Sequence, residues 1–468
     1  MNTNWNFENS YLTLPKIFYS STKPDTFKDL KVILKNESLL RLLNIREENF
    51  ENLIINSINS KNINYFSHAY AGHQFGNFTI LGDGRATLLG EHINKKNERF
   101  DIQLKGSGKT PYSRNGDGKG TLKSMLREHI VSEAMYHLNI NTTRSLAVLK
   151  TGEKIFRTNF EEGGILVRVA KSHIRVGTFQ LASLSKEKKD VKKLLDYSIN
   201  RLHPEIKNRN DKYLDFFKKI VESQINLIVE WQRVGFIHGV MNTDNMSVSG
   251  ETIDYGPCAF MDEYKPNKVF SSIDLNGRYA FNNQPKIALW NLARFAETIL
   301  HLIDENQNIA IKKIEDILNF YEKKYYELWI SMMKDKIHIN NIDENDEKLI
   351  KELLDLMHVF KLDYTNTFID IENDNIQKHD FMKNWYKKLQ ERRKLNSDKK
   401  CFKNVTNPKI IPRNHIVEKT LNESDKGNYI TLYKLLQNLS RPYSNKIDNE
   451  FKTEPKIEEK VHQTFCGT

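Results

Sequence analysis

Several groups of residues in this chain have types and spacings suited to holding phosphates. Lys105 ends the alternating run Phe100–Lys105, and Glu128 falls on the helical stretch that follows. An ammonium can grip phosphate oxygens once a carboxylate fixes its position. Further on, His238-Gly239-Val240-Met241-Asn242-Thr243-Asp244-Asn245 places an amide seven residues after a histidine, and Asp254-Tyr255-Gly256 comes soon after. Asn245 and Asp254 offer hard oxygen ligands of the kind that hold Mg²⁺ against phosphate. Two glycine-punctuated turns, Gly82-Asp83-Gly84-Arg85 and Asn115-Gly116-Asp117-Gly118-Lys119-Gly120, add backbone N–H groups, and Arg168 and Arg175 add cations. A surface lysine, turn residues and ordinary salt bridges would explain each feature alone. Their order, on suitable elements, favours nucleotide binding.

The elements that must position these groups follow from periodicity. Arg85–Glu91 reads as a strand leaving the Gly82-Asp83-Gly84 turn, and Phe100, Ile102 and Leu104 alternate with polar neighbours as in a half-buried strand. Leu122, Met125, Leu126, Ile130, Ala134, Met135 and Leu138 mark one face of a helix over 121–138. Strands are expected around Ser145–Lys150 and Gly164–Ala170, with a turn at Thr151–Lys154. Beyond residue 185 the pattern turns helical, over Tyr213–Val234, Ile287–Ile303, Ile311–Met333 and Glu347–Leu362, interrupted by a β-type stretch at Met246–Ile253. The tail from about 375 is polar and basic, with a helical return near Tyr429–Leu439.

Strands with one main helix, then a larger helical part, is the layout of a protein kinase. The expected fold is therefore α+β and bilobal: an N-terminal extension (1–62), a β-rich N-lobe (63–184), a helical C-lobe (185–374) and a C-terminal extension (375–468). In a kinase the loop after the histidine carries a catalytic Asp two residues on. Here that position is Val240, which can neither accept a proton nor orient a hydroxyl. Asp244 is the nearest replacement. Either the chain is a silent nucleotide-binding pseudokinase acting as an interaction module, or it runs a different transfer.

Composition narrows the class. The 468 residues carry 71 Lys+Arg against 60 Asp+Glu, a net charge of +11 that could mark a polyanionic partner. The positive charge is dispersed, however, so no nucleic acid and no membrane partner is expected. No apolar run approaches the ~18 residues of a membrane span. Three cysteines, at 258, 401 and 466, make neither a disulfide framework nor a zinc pattern. A cytoplasmic protein is expected.

The strings YAGHQFGNFTILGDGRATLLGE, LKGSGKTPYSRNGDGKGTLKSMLREHIVSEAM, HGVMNTDNMS, TIDYGPCAFMD, RYAFNNQPKIALWNLARFAE and NPKIIPRNHIVE resemble the selenoprotein O family of protein adenylyltransferases. The resemblance runs from about residue 5 to the C-terminus. It implies a pseudokinase fold that binds ATP inverted relative to kinases. It also implies transfer of AMP, with Mg²⁺ or Mn²⁺, to hydroxyl side chains of proteins; a monomer is expected. Gly82, Gly84, Arg85, Lys105, Asp117, Gly118, Arg168, Arg175 and Asp254 would contact ATP, and Glu128 would position Lys105. Asp244 would accept the proton, and Asn245 and Asp254 would hold the metal. The family often carries a redox residue, selenocysteine or cysteine, near its C-terminus, sometimes as a Cys-x-x-Sec or Cys-x-x-Cys pair, but here Gln463 stands three residues before Cys466, so no local pair exists. Cys258 and Cys466 are expected to be separate thiols, with a latch between them as the alternative.

Overall fold

The computed structural model describes residues 5–185, 187, 189–341, 343–396 and 406–465. The alternating segments form one antiparallel sheet. Its strands are β1 (Phe7–Glu8), β2 (Tyr19–Ser21), β3 (Lys31–Lys35), β4 (Phe66–Gln74), β5 (Asn77–Gly82), β6 (Ala86–Ile93), β7 (Arg99–Lys105), β8 (Gly120–Thr121), β9 (Arg144–Phe156) and β10 (Phe160–Ala170). They run in the order β2-β4-β6-β7-β10-β9-β3, with β1 on β6, β5 on β4 and β8 on β10. Residues 1–62, expected only as an extension, thus supply the two outermost strands of that order. The turn expected at Thr151–Lys154 is not there. Strand β9 continues past it through a bulge, with Gly152 at φ 75° and the β9–β10 register shifting between the Lys150–Gly164 and Lys154–Glu162 pairs, and the chain reverses only beyond Phe156. A local Thr-Gly turn signal is absorbed as a bulge when a long cross-strand ladder is available on either side of it.

Period two assigns the faces of the sheet. Leu89, Ile102, Leu104, Leu149 and Val167 pack against α1 (Glu37–Leu43) and α2 (Glu47–Ile58). Val148 and Leu166 point the other way, onto Leu122, Leu126 and Ile130 of α3 (Leu122–His137).

The helical part comprises α4 (Val176–Ser183), α5 (Lys189–Leu202), α6 (Lys212–Val234), α7 (Gln284–Ile303), α8 (Gln307–Lys336), α9 (Asp346–Val359), α10 (Tyr364–Glu372) and α11 (Lys383–Arg393). The last two helices, α12 (Asn414–Asp425) and α13 (Ile430–Leu439), return to the sheet part and cover α3 through Val417, Leu421, Leu432 and Leu435.

Helix α6 ends at Gly235, whose φ of 71° is the left-handed conformation that closes a helix at least cost. It feeds directly into β11 (Phe236–Ile237), which pairs with β12 (Ala259–Phe260). These four residues staple the ends of the 238–258 loop, so His238, Asp244, Asn245 and Asp254 all hang from one closed base. The β-type stretch expected at Met246–Ile253 forms no strand. It makes two isolated bridges instead, Arg175 to Ser247 and Thr142 to Thr252, because its neighbours offer single residues rather than a free edge. Among the described residues no helix is long and apolar enough to cross a membrane.

Candidate active site

Between the sheet and the 238–258 loop lies a cavity of about 400 Å³. Gly84, Arg85, Lys105, Asp117, Gly118, Arg168, Arg175, Asp244, Asn245 and Asp254 all line it. Residues more than 160 apart in sequence therefore meet around one space.

Asp254 is the hub. Its Oδ1 accepts from Lys105 Nζ at 2.6 Å and from Arg168 Nη2 at 2.8 Å, and Arg175 Nη1 approaches Oδ2 at 3.5 Å. Burial pushes this carboxyl up, but the three cations outweigh it and hold it well below the usual range. Asp254 also adopts φ 66°, a left-handed backbone that a non-glycine residue keeps only where its surroundings fix it. Glu128 does not line the cavity. It stands behind, accepting from Lys105 Nζ at 2.6 Å and Arg168 Nε at 3.0 Å, so one carboxylate fixes two cations. A surface lysine with a solvated helix carboxylate is thereby excluded: Lys105 and Glu128 are both buried.

The glycines work by absence. A Cβ on Gly82 would sit 2.3 Å from the Tyr112 ring, and one on Gly84 would sit 2.9 Å from the Tyr112 carbonyl oxygen. Gly82 therefore packs the turn rather than facing the cavity. Asp117 is gripped by Arg157 through two bonds of 2.9 and 3.0 Å, which lowers its pKa. Strand β8 separates the 115–120 loop from α3, whose N-cap is Thr121.

Asp244 differs from the other carboxylates. It is buried, its Oδ1 has no hydrogen-bond partner among the described residues, and burial pushes its pKa up to about 6 despite Arg175 nearby. A desolvated carboxylate with one oxygen unbonded and a pKa raised to about 6 suits a proton acceptor. The neighbouring Asn245 donates from Nδ2 to the Val240 carbonyl at 3.0 Å, which fixes the orientation of its amide.

Sequence reasoning passed over several groups. Asp83, inside the Gly82–Arg85 turn, accepts from Arg175 Nη2 at 3.2 Å, Gln103 Nε2 at 2.9 Å and the Tyr70 hydroxyl at 3.2 Å. The Arg175 guanidinium also lies 4.5 Å from the Tyr70 ring centroid and donates to the Asp244 carbonyl at 3.0 Å. Asp83 thus anchors the cation that touches both Asp244 and Asp254. The only sequence signal was an acid between two glycines, which any turn would show.

Cys258 lies outside the cavity. It is fully buried, and burial pushes its thiol up to about 12. Cys466 falls outside the described residues, so the latch stays an expectation.

Among the described residues no cluster of three or more His, Cys, Asp or Glu could hold a metal alone. Mg²⁺ needs none. One or two carboxylates with phosphate oxygens and waters suffice, and Asn245 and Asp254, which both line the cavity, belong to that kind of donor set.

Residues 2–440 match the family model described as "Protein adenylyltransferase SelO". Relatives named "Protein nucleotidyltransferase YdiU" include one from Clostridium perfringens, 48% identical over all of this chain and 98% of its own length. Another, from Pelagibacter ubique, is 46% identical with both chains fully covered. These likenesses make the chain a nucleotidyltransferase, an enzyme with a nucleotide as substrate. It belongs to the SelO family.

Proposed function

We propose that this enzyme transfers AMP from ATP to hydroxyl side chains of proteins. The observation that carries the reading is the pairing, in one cavity, of a cation-saturated Asp254 with a buried, high-pKa Asp244 whose Oδ1 has no hydrogen-bond partner among the described residues. Val240 removes the kinase base, so γ-phosphoryl transfer lacks its usual proton acceptor. Architecturally we read a bilobal kinase-like unit, with 63–184 and 185–374 as its lobes, 1–62 and 375–468 as extensions, and ATP bound in the inverted sense.

In this reading Asp244 takes the proton from a Ser, Thr or Tyr hydroxyl. The oxygen attacks the α-phosphorus, a P–O bond forms, the α–β bridging bond breaks, and its electron pair leaves with pyrophosphate. Arg85, Lys105, Arg168 and Arg175 bind and orient the phosphates, while Gly84, Asp117 and Gly118 shape the cavity wall. Asn245 and Asp254 would hold Mg²⁺ or Mn²⁺, which supplies Lewis-acid stabilisation of phosphate charge. Catalysis is then mainly positioning and preorganised charge. The deep clustering of the arginines favours inversion, because it places most cationic charge where the departing phosphates need it. We place the enzyme in the cytoplasm, acting as a monomer.

ATP labelled on the α- or the γ-phosphate tests this. Label should reach protein from the α-position and not from the γ-position. Transfer from the γ-position alone would make the enzyme a kinase, and no transfer with intact ATP binding would leave a nucleotide-binding module.

A further inference from the structure

The hairpin of β4 and β5 forms one wall of the cavity through Tyr70, Gln74 and Phe75. Its turn, Phe75-Gly76, has positive φ at both residues, 51° and 92°, as a two-residue type I′ turn requires. In such a hairpin the closing pair, Gln74 and Asn77, exchanges hydrogen bonds, and bonded and non-bonded pairs alternate from there. Phe78 and Ile80, opposite His73 and Ala71, are therefore non-bonded pairs, and their N–H and C=O groups point away from β4. Among the described residues no other strand pairs with β5. Natural edge strands are usually protected by charge, proline or a covering element. This one instead exposes Phe78 and Ile80, at 43% and 62%.

Charge collects at the tip of the same hairpin. The Arg278 guanidinium carbon lies 3.8 Å from where a Cβ on Gly76 would sit and 4.7 Å from the Trp290 ring centroid. Its buried Nε has no hydrogen-bond partner, and the guanidinium, which also hydrogen-bonds Tyr279, meets no carboxylate among the ion pairs of the described residues. His73 packs edge-on against both Phe78 and Trp290, so the apolar face of β5 and the arginine are continuous.

We infer that β5 is the docking edge for protein substrates, which add an extended segment beside it. This rests on the activity proposed above and specifies what the acceptor must look like. Apolar side chains two apart would lie beside Phe78 and Ile80, and a carboxylate would meet Arg278 at the hairpin tip. The opposite face of the hairpin, with Tyr70 and Gly72, covers the cavity and Asp244. An added strand lies two spacings from β4, about 10 Å, and a strand advances about 3.3 Å per residue. The acceptor hydroxyl therefore sits three or more residues beyond the paired segment, after the acid.

The test uses the full-length enzyme and a fluorescein-labelled peptide Val-Lys-Val-Asp-Gly-Gly-Ser-Gly, made in both sequence directions, each with an N-methylated counterpart. N-methylation of the valines removes the donors that would pair with β5. One direction should bind, and its N-methylated form should bind roughly tenfold or more weakly. Ile80→Pro, which removes an outward N–H, should weaken the unmethylated peptide similarly while leaving ATP affinity unchanged, and Ile80→Val should restore binding. Phe78→Ser with Ile80→Ser provides a second variant should the proline disturb folding. Arg278→Glu should weaken the Asp peptide and favour one with Lys in its place. Equal binding of methylated and unmethylated peptides, or of wild type and both edge variants, would overturn the inference. Edge-dependent binding without AMP transfer to any protein would overturn the activity reading and leave β5 as a peptide-binding edge.

Discussion

Gly72 lies directly over the carboxylate of Asp244: a methyl group at its Cα would fall 2.4 Å from Oδ1. The β4–β5 hairpin can cover the base only because this position has no side chain. Gly72→Ala should leave ATP affinity within a few-fold of wild type and cut kcat about 100-fold or more, the scale expected for an ångström-sized misplacement of a reacting group. In an Asp244→Ala background the same substitution should cost nothing further. The double-mutant comparison in the AMP-transfer assay checks both statements.

The raised pKa of Asp244 predicts two opposite pH responses. As a proton acceptor it must be ionised, so kcat/KM should fall about tenfold per unit below about pH 6. As a buried carboxyl whose folded pKa exceeds the ordinary 3.8, it contributes stability below about pH 4 that is lost as pH rises through about 6. Asp244→Asn should therefore be inactive yet more stable than wild type at pH 8, by up to about 3 kcal/mol. The gain should vanish near pH 4. Denaturant titrations across this range measure it.

Asp83 behaves with the opposite sign. Burial raises its pKa, but His68 and Arg175 bring it down to about 2. The stability it contributes is present above about pH 4 and lost as pH falls through about 2. Asp83→Asn should destabilise the fold at neutral pH by about 2 kcal/mol. It should also free the Arg175 guanidinium and weaken ATP binding about tenfold. A purely structural role would lower the melting temperature without moving the Kd for ATP, so calorimetric titration below the transition separates the two.

Much of this site was legible because its parts are local. Lys105 ends an alternating run, Glu128 sits on a helix with one apolar face, and Asn245 and Asp254 keep a spacing set by one stapled loop. Asp83 and Arg157 were not legible, since their meaning comes from partners such as Arg175, 92 residues away, and Asp117, 40 residues away. The same distinction governs the fold. Helix α3 and strand β7 follow from their own periodicity. The Thr151-Gly152 signal marks a bulge rather than the reversal, because β9 goes on pairing with β10 as far as Phe156. Strand β3, whose periodicity covers only five residues, is specified by the edge it completes.

Cys258 should be inert in the folded enzyme. Its thiol is fully buried, donates to the Tyr255 carbonyl at 3.4 Å, and stays protonated at physiological pH. Iodoacetamide labelling at pH 8 followed by peptide mass analysis should modify Cys258 only after denaturation. Native labelling of Cys258, or its recovery joined to Cys466 without denaturant, would contradict this.

The first 35 residues carry both outer strands of the sheet order, β2 at one end and β3 at the other, while everything between them comes from residues 66–170. This has a consequence for biosynthesis. The start of the chain leaves the ribosome first, yet β3 cannot pair until β9 has been made. At about 5–20 residues per second the wait lasts on the order of ten seconds. During that time β3 must be kept from other chains, whereas β2 waits only for β4. An N-terminal deletion would make the exposure permanent, stripping two sides of the sheet at once. The enzyme's yield in a cell is therefore expected to depend on holdase chaperones more strongly than its folded stability suggests.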